Sequence, residues 1–550
     1  MNGAEAFVET LRSQGVDTFF GLPGSTEAPL LEALRKAGGI RYVLSLHEGV
    51  ATAMADGYAR ASGRAGVVGL HTTVGTMNGM SQLFNAARDG IPVVMTAGHK
   101  DRTVLAEDGF CSFPDLAALL RPFTKRSHQT LSAEQIGPDL ARALTQATAA
   151  PAGPTFLAVP EDLMAAPLEH PLDVADLPGA ARRSPPACDQ EQLEEAARLL
   201  LSARRPLLVL GTAAASAVDP ARRLALELGM AVVVADLTDL ARATYPTGSP
   251  EFLGAYGDLE EALQGCDLVL AAGCRMFYPF SARLHPRLPV GARLLHVHPD
   301  ASLLGVNLPT ELAIAADPGT FLEGVLRACR ALRPGTGAAT GRQSWLAEVA
   351  RKRSAELGRE LEASRGHTPM AVAELAAELQ RVVPPGSLLV EEGVRASRLI
   401  LRHLGIPPGG ELWRSSGGAL GWGLPAAVGA KVAQPDRPVV LLVGDGTLHF
   451  SVQALWTAVA QKVGLVAVVL DNGGYLAVKR AIENLLGVAE DPREHPGTEL
   501  PGIDHLAAAR AYGAGAVAAA SAAEVAEAVH EGLRGGGVQL VVAPVARIRP

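Results

Sequence analysis

Two short polar segments, Gly444-Asp445-Gly446 and Asp471-Asn472-Gly473-Gly474, each follow an apolar run of buried-strand length, Pro438–Val443 and Leu465–Leu470. A helical stretch, about Ser451 to Lys462, separates the two runs. Strand, crossover helix and strand of this length make one right-handed parallel unit. Both strand ends then face the same edge of the sheet, where ligands of open α/β sheets bind. Asp445 and Asn472, 27 positions apart, can aim oxygen atoms at one point there. A hard divalent cation such as magnesium takes such oxygens together with phosphate oxygens. The glycines let backbone and phosphate approach closely. GDG alone is a common turn, but with the helix, second strand and DNGG at this spacing a metal–phosphate site is the better reading. Neither a GxGxxG dinucleotide loop nor a P-loop occurs.

Three further polar residues follow apolar strands near the start of the chain. Glu48 stands where YVLSLH meets a helix, and a carboxylate at a strand end facing a cleft is a candidate acid or base. Taken alone it reads equally well as a helix-capping acid. His71 ends GVVGLH, and Ser25 lies just past a strand in GLPGST. For each, a turn or cap role is the plain alternative. The case for chemistry is that all three leave the C-terminal ends of successive strands of one sheet.

Strands and helices must alternate to hold these groups, and the sequence does alternate. Short apolar runs ending in Gly, Asp, Asn or Ser are interleaved with Ala/Leu-rich amphipathic stretches, the pattern of parallel strands with crossover helices. The pattern falls into three blocks, predicting three doubly wound α/β domains over about 1–165, 187–335 and 364–550. Predicted strands of the first are Thr18–Gly21, Tyr42–His47, Ala65–His71, Pro92–Ala97 and Thr155–Val159. RPLLVLG, MAVVVAD, CDLVLAAG and ARLLHVH supply the second; GSLLVEEG, RPVVLLVGDG, LVAVVLDNGG and VQLVVAPV the third. A Pro-rich stretch (167–186) and RPGTGAATGR (333–342) read as linkers, and Ser344–Ala363 as a charged helix.

The 550 residues are 48% hydrophobic but only 4% aromatic, so the cores are built mainly of Ala, Val and Leu. The net charge of -8 and the lack of a basic run argue against nucleic-acid binding. The charged, amphipathic N-terminus is unlike a signal peptide, and no apolar run approaches the roughly 18 residues of a membrane span. A soluble cytoplasmic protein is expected. Cys111, Cys188, Cys266, Cys274 and Cys329 include no CxxC pair, so buried inert thiols are expected.

With these residues in place, the chain resembles the thiamine-diphosphate-dependent 2-oxo-acid decarboxylase and acetolactate synthase superfamily, most of all its benzoylformate decarboxylase branch. The likeness runs from FFGLPGSTE, LHEGVATAMADGYARASG and LHTTVGTMNGM through SSGGALGWGLPAAVGAK to GDGTLHFSVQALWTA, LDNGGYLAVK and PGIDHLAAARAYG. It implies pyrimidine-binding, middle and diphosphate-binding domains. It also implies thiamine diphosphate with Mg2+ as cofactors, and a site shared between two chains of a homodimer or homotetramer. By position, Glu48 matches the glutamate on the pyrimidine ring. Asp445, Asn472 and the Gly474 carbonyl match the metal ligands, in the loop opened by Gly444 and closed by Gly446. Leu420 matches the apolar wedge that bends the cofactor, and the Gly418 carbonyl meets the aminopyrimidine. Ser25 and His71 match the residues that handle substrate carboxylate and proton transfers. The cofactor accepts the electron pair left when carbon dioxide departs, and a histidine supplies acid–base chemistry at neutral pH.

The chain departs from that pattern at several positions. Phe280, in CRMFYPF, stands where the family has a second histidine, and His285 is out of register. Val394 and Arg395 replace hydroxyl residues that contact diphosphate; an arginine there pairs with phosphate, with an acidic substrate group, or with a surface carboxylate. His449 replaces a different polar residue. Leu476, Val478 and Ala481 replace residues that shape the aryl pocket. Decarboxylation of an aromatic or branched 2-oxo acid to an aldehyde is the expected activity. Carboligation, as in acetolactate synthases, is the alternative that loss of the histidine favours and the lack of a GPG-type segment near His71 disfavours. A binding protein without catalysis is the third reading.

Overall fold

The computed structural model describes residues 1–105, 107, 109–179, 188–259, 263–277, 287–332, 340–487 and 495–547. In the first region, β1 (Thr18–Leu22), β2 (Arg41–Leu44), β3 (Gly66–His71), β4 (Val93–His99), β5 (Arg126–Gln129) and β6 (Thr155–Pro160) form a parallel sheet of order β2-β1-β3-β4-β6-β5. β3, β4 and β6 are almost wholly buried, as apolar runs covered by helices on both faces must be. The second strand is shorter than predicted, so Ser45–His47 form a loop before Glu48.

The second sheet contains β7 (Pro206–Leu210) and β8 (Ala231–Val234). The next strand, β9 (Arg242–Ala243), leaves it. β10 (Phe252–Ala255), β11 (Leu268–Ala272), β12 (Arg293–His298) and β13 (Leu312–Ala315) complete the order β10-β8-β7-β11-β12-β13. The third sheet is built of β14 (Leu388–Glu392), β15 (Glu411–Trp413), β16 (Val439–Gly444), β17 (Leu465–Asp471), β18 (Gly515–Ala518) and β19 (Val538–Pro544), in the order β18-β19-β17-β16-β14-β15-β9. Every pair is parallel except β15–β9, where the middle region lends an antiparallel edge strand to the third sheet.

The first and third sheets share one core. A buried cluster runs from Phe20 and Met54 through Trp422 and Leu424 to Val469. At its centre the helices Glu48–Ser62 and Gly423–Ala433 cross, Gly57 against the Ala426 backbone and Gly429 against Met54. A Cβ at either glycine would overlap the opposing backbone, so the crossing requires both.

Cys266, Cys274 and Cys329 are buried as expected, but Cys111 and Cys188 are only half-buried. No helix among the described residues is long and apolar enough to cross a membrane. A cavity of about 680 Å3, lined by Lys462, Gly515, Glu531 and Gly536, opens at the N-terminal edge of the third sheet and touches no candidate residue.

Candidate active site

β16 and β17 run parallel with Gly444 opposite Leu470, so their ends lie side by side as the sequence requires. The GDG segment is not a free turn: Asp445 begins a short helix, Asp445–Leu448, and the next helix is only Ala454–Ala460. The Asp445 carboxylate is buried. Its Oδ1 accepts the Gly446 N–H at 2.8 Å, and its Oδ2 accepts those of Asn472, Gly473 and Gly474 at 3.2, 2.8 and 3.1 Å. Burial raises its pKa, the Asp471 charge adds to this, and the backbone N–H groups oppose it. Asn472 Oδ1 is buried with no hydrogen-bond partner among the described residues. Such an oxygen costs about 1–3 kcal/mol, and a cation held jointly with Asp445 would satisfy it. The Gly474 carbonyl accepts the Leu476 N–H at 3.0 Å, which leaves its second lone pair. These oxygen donors fit a hard divalent cation; no group of three His, Cys, Asp or Glu suited to a metal occurs among the described residues. Behind the loop, Arg547 Nε donates to the Asn472 carbonyl at 3.1 Å, and Glu499 pairs with both Arg547 and the buried Lys479. None of these three was singled out from the sequence.

His71 ends β3 opposite Gly98 of β4. Its Nδ1 lies 2.9 Å from Thr26 Oγ1 and 3.1 Å from Glu27 Oε2. Thr26 donates its own proton to Glu27 Oε1, so Nδ1 carries the hydrogen facing both. The neutral ring therefore presents an unprotonated Nε2, which has no partner among the described residues. The Glu27 carboxylate is buried and also accepts the Gly24 and Gly98 N–H groups at 2.8 and 2.9 Å. The His71 ring lies so close to Gly24 that a Cβ there would overlap it. Ser25, the residue the sequence favoured, is exposed at the start of the turn Ser25–Glu27 and makes no hydrogen bond to His71 among the described residues. Thr26 and Glu27 are the residues that sequence reasoning missed, although GLPGSTE displays both.

Glu48 starts the helix Glu48–Ser62, and its Oε2 accepts the Asn78 Nδ2 hydrogen at 3.1 Å. Asn78 belongs to the helix Thr72–Asp89, and the same stripe of that helix grips the loop Ser415–Trp422. Gln82 donates to the Leu420 carbonyl at 3.0 Å, and Asn85 binds the Ala419 carbonyl and N–H at 2.8 and 3.1 Å. Asp89 takes the Ser416 N–H at 3.0 Å. Asn78 and Gln82 are one turn apart, about 6 Å along the axis. Glu48 and the loop bearing Gly418 and Leu420 are thus mounted on one helix. Gly418 has φ +84°, and its carbonyl has no hydrogen bond among the described residues. Glu392 closes the loop from below, accepting the Trp422 and Gly423 N–H groups at 3.0 and 2.8 Å. Burial pushes its carboxyl up to about 7 against those N–H groups.

Beneath the loop, Arg60 lies within 2.6 Å of both Asp56 and Asp89 and donates to the carbonyls of Ala241 and Arg414. Trp422 Nε1 donates to Asp56 at 3.0 Å. One buried guanidinium so joins all three regions. From the middle region, Arg275 reaches Ser416 at 3.5 Å; Phe280 and His285 lie outside the described residues. Leu476 is buried while Val478 is 49% exposed. His449 Nε2 lies 3.0 Å from His505 Nδ1, and burial with the second ring lowers the His449 pKa. Arg395 forms no salt bridge among the described residues.

Three family models match the chain. The N-terminal TPP binding domain of thiamine pyrophosphate enzymes matches residues 1–119, their central domain 193–325 and their C-terminal TPP binding domain 396–543. Benzoylformate decarboxylase of Pseudomonas aeruginosa is 34% identical, covering 99% of both chains. The acetolactate synthase large subunit of Haemophilus influenzae is 28% identical over 86% of this chain and 82% of its own. In the solved structure of a thiamine diphosphate-dependent 4-hydroxybenzoylformate decarboxylase from Rhodococcus jostii, the match has a TM-score of 0.86 at 31% identity, with 99% of each chain covered.

Proposed function

Since the chain belongs to the thiamine pyrophosphate enzymes, we propose that it decarboxylates an aromatic or branched 2-oxo acid to the corresponding aldehyde, with Mg2+ as the metal. The observation that carries this reading is His71: its Nδ1 is fixed by a buried carboxylate and its Nε2 is open at the sheet edge. A decarboxylase must deliver a proton to the carbon that carbon dioxide leaves; the open Nε2 can take up a proton, the Glu27 carboxylate supports the resulting imidazolium through Nδ1–H, and Nε2–H can then give that proton to the carbon.

Asp445, Asn472 Oδ1 and the Gly474 carbonyl would hold the metal with the cofactor diphosphate. Gly418, Leu420 and Glu48 would receive the rings. When bound, thiamine diphosphate supplies the electron sink for carbon–carbon cleavage. The protein's own contribution is orientation and proton handling. The Gln82, Asn85, Asp89 and Glu392 clamp fixes the 415–422 loop, so its geometry is set before any ligand arrives. Ser25, exposed at the mouth, can donate to a substrate carboxylate. Leu476 lines the acyl side.

The working unit in this reading is at least a homodimer. Leu46, Val74 and Met77, beside Glu48, are 45%, 52% and 57% exposed, an apolar face suited to a second copy. The middle region would be structural and the compartment the cytoplasm. Carboligation is the second reading, favoured by the acetolactate synthase similarity.

The test is carbon dioxide and aldehyde release by protein supplied with thiamine diphosphate and Mg2+, across benzoylformate, phenylpyruvate, branched-chain 2-oxo acids and pyruvate. Release of the aldehyde in step with carbon dioxide supports the reading. Carbon dioxide with acetolactate instead supports carboligation. Full activity in Glu48→Gln would remove the proposed mechanism.

A further inference from the structure

β14 ends at Glu392, opposite Val443 of β16. The chain then turns through Gly393, Val394 and Arg395 at the same sheet edge as the Asp445 loop. Gly393 lies against Leu470, the residue before Asp471 and Asn472, and a Cβ there would come within 3.2 Å of the Leu470 side chain. The turn therefore covers the ends of the two strands that carry the metal ligands. Val394, at φ +52°, holds a left-handed conformation that a β-branched residue avoids. Such outliers persist where surrounding structure fixes them, often at ligand clamps.

Arg395 is the residue this turn presents. It is half-buried, its Nε is enclosed without a hydrogen-bond partner, and it makes no ion pair among the described residues. The neighbouring arginines are different. Arg398 pairs with Asp258 at 2.9 Å, and Arg480, on the helix Leu476–Leu486, pairs with Glu483 at 2.5 Å. Burial and the charges of Arg480 and Arg398 both disfavour the charged form of Arg395, opposed only by Glu483. A partly desolvated guanidinium among like charges is costly unless an anion completes it. Its planar fork suits two oxygens of a carboxylate or phosphate.

We propose that Arg395 is an anion-binding residue of the active site, taking an anionic oxygen group beside the Asp445–Asn472 loop. That group comes either from the cofactor diphosphate or from a second, acidic end of the 2-oxo acid. The substrate source rests on the decarboxylase reading above; the binding site itself does not.

The experiment compares wild type, Arg395→Gln and Arg395→Lys by binding, not turnover. Thiamine diphosphate and thiamine are titrated by calorimetry with Mg2+ present. 2-Oxoglutarate and its uncharged-end counterpart 2-oxopentanoate are titrated into the cofactor-loaded protein. Loss of a charge-assisted contact weakens binding about tenfold or more. If the cofactor is the source, Arg395→Gln weakens thiamine diphosphate by that factor, leaves thiamine unchanged, and Lys restores most of the affinity. If the substrate is the source, thiamine diphosphate is unaffected and only 2-oxoglutarate weakens. Equal binding of all four ligands by wild type and Arg395→Gln, with matching thermal melts, overturns the proposal. Because turnover is not read, an enzyme that decarboxylates none of the acids removes the function proposed above and leaves these results standing.

Discussion

Replacing Glu27 with Gln isolates what holds His71. The carboxylate accepts four hydrogen bonds: from Gly24 N–H at 2.8 Å, Gly98 N–H at 2.9 Å, Thr26 Oγ1 at 2.8 Å and His71 Nδ1 at 3.1 Å. An amide has one accepting oxygen, so in either orientation its NH2 opposes a buried N–H. With the NH2 towards Gly24, it also donates to Nδ1 and forces the hydrogen onto Nε2. With the NH2 towards Gly98, the tautomer survives but the negative charge is lost. Both arrangements strand one buried N–H, costing about 1–3 kcal/mol of stability. Both remove the charge-assisted bond that supports a protonated ring, worth about 1.5–3 kcal/mol, or roughly 10- to 150-fold in kcat. Steady-state aldehyde release at saturating cofactor measures the second effect and urea unfolding the first. In a His71→Ala background, Glu27→Gln should add little further loss, because the two act as a unit. A Glu27→Gln enzyme within twofold of wild type in kcat, or losses that multiply in the double variant, would refute the argument.

Substitutions at three other residues probe the supports of the site. Asn472→Ala removes the unpartnered buried oxygen, so metal-free stability should hold or rise, while stabilisation by added Mg2+ and thiamine diphosphate disappears in thermal melts. Glu392 has a folded pKa raised from 4.5 to about 7, so its contribution is complete below pH about 4.5 and is lost as pH rises through about 7. Cofactor-free wild type should therefore lose about 3 kcal/mol across that window relative to Glu392→Gln in urea titrations at each pH. Arg60→Leu leaves Asp56 and Asp89 buried without a counter-ion and should cost about 3–5 kcal/mol. Arg60→Lys, which keeps the charge but not the fork, should fall between in the same titrations.

What the sequence disclosed follows from which signals are local. The apolar runs of β3, β16 and β17 are continuous and punctuated by glycine, so their strands, and the meeting of Asp445 with Asn472, could be read directly. β5, composed of Arg-Ser-His-Gln, has no apolar pattern and emerges only because its backbone pairs with β6. That Asp445 itself opens a short helix is not legible, because three residues cannot announce a helix whose first turn its own carboxylate stabilises. Ser25 stands out in the sequence as a polar residue just past a strand, while Thr26 and Glu27 act from beneath it, a difference of burial invisible in one dimension. The hold of Asn85 on Ala419 spans 334 positions, and nothing near either residue signals it. Glu392 was likewise read only as part of VEEGVRAS, because its role depends on where the 421–423 backbone comes to rest.

The two residues of β9 also bear on how the chain can be built and divided. β15 lies between β14 and β9, and its partner Arg242 stands 169 positions earlier than Glu411, with which it also forms an ion pair at 2.8 Å. During synthesis that strip exists long before the sheet it will border, so the last sheet condenses against a margin already delivered. Excision of the C-terminal third would leave β15 with an open row of amide and carbonyl groups, the kind of edge that recruits foreign strands. The middle region is thus a selvedge for its neighbour, and grafting the metal-loop half into another protein should succeed only if residues 241–243 travel with it.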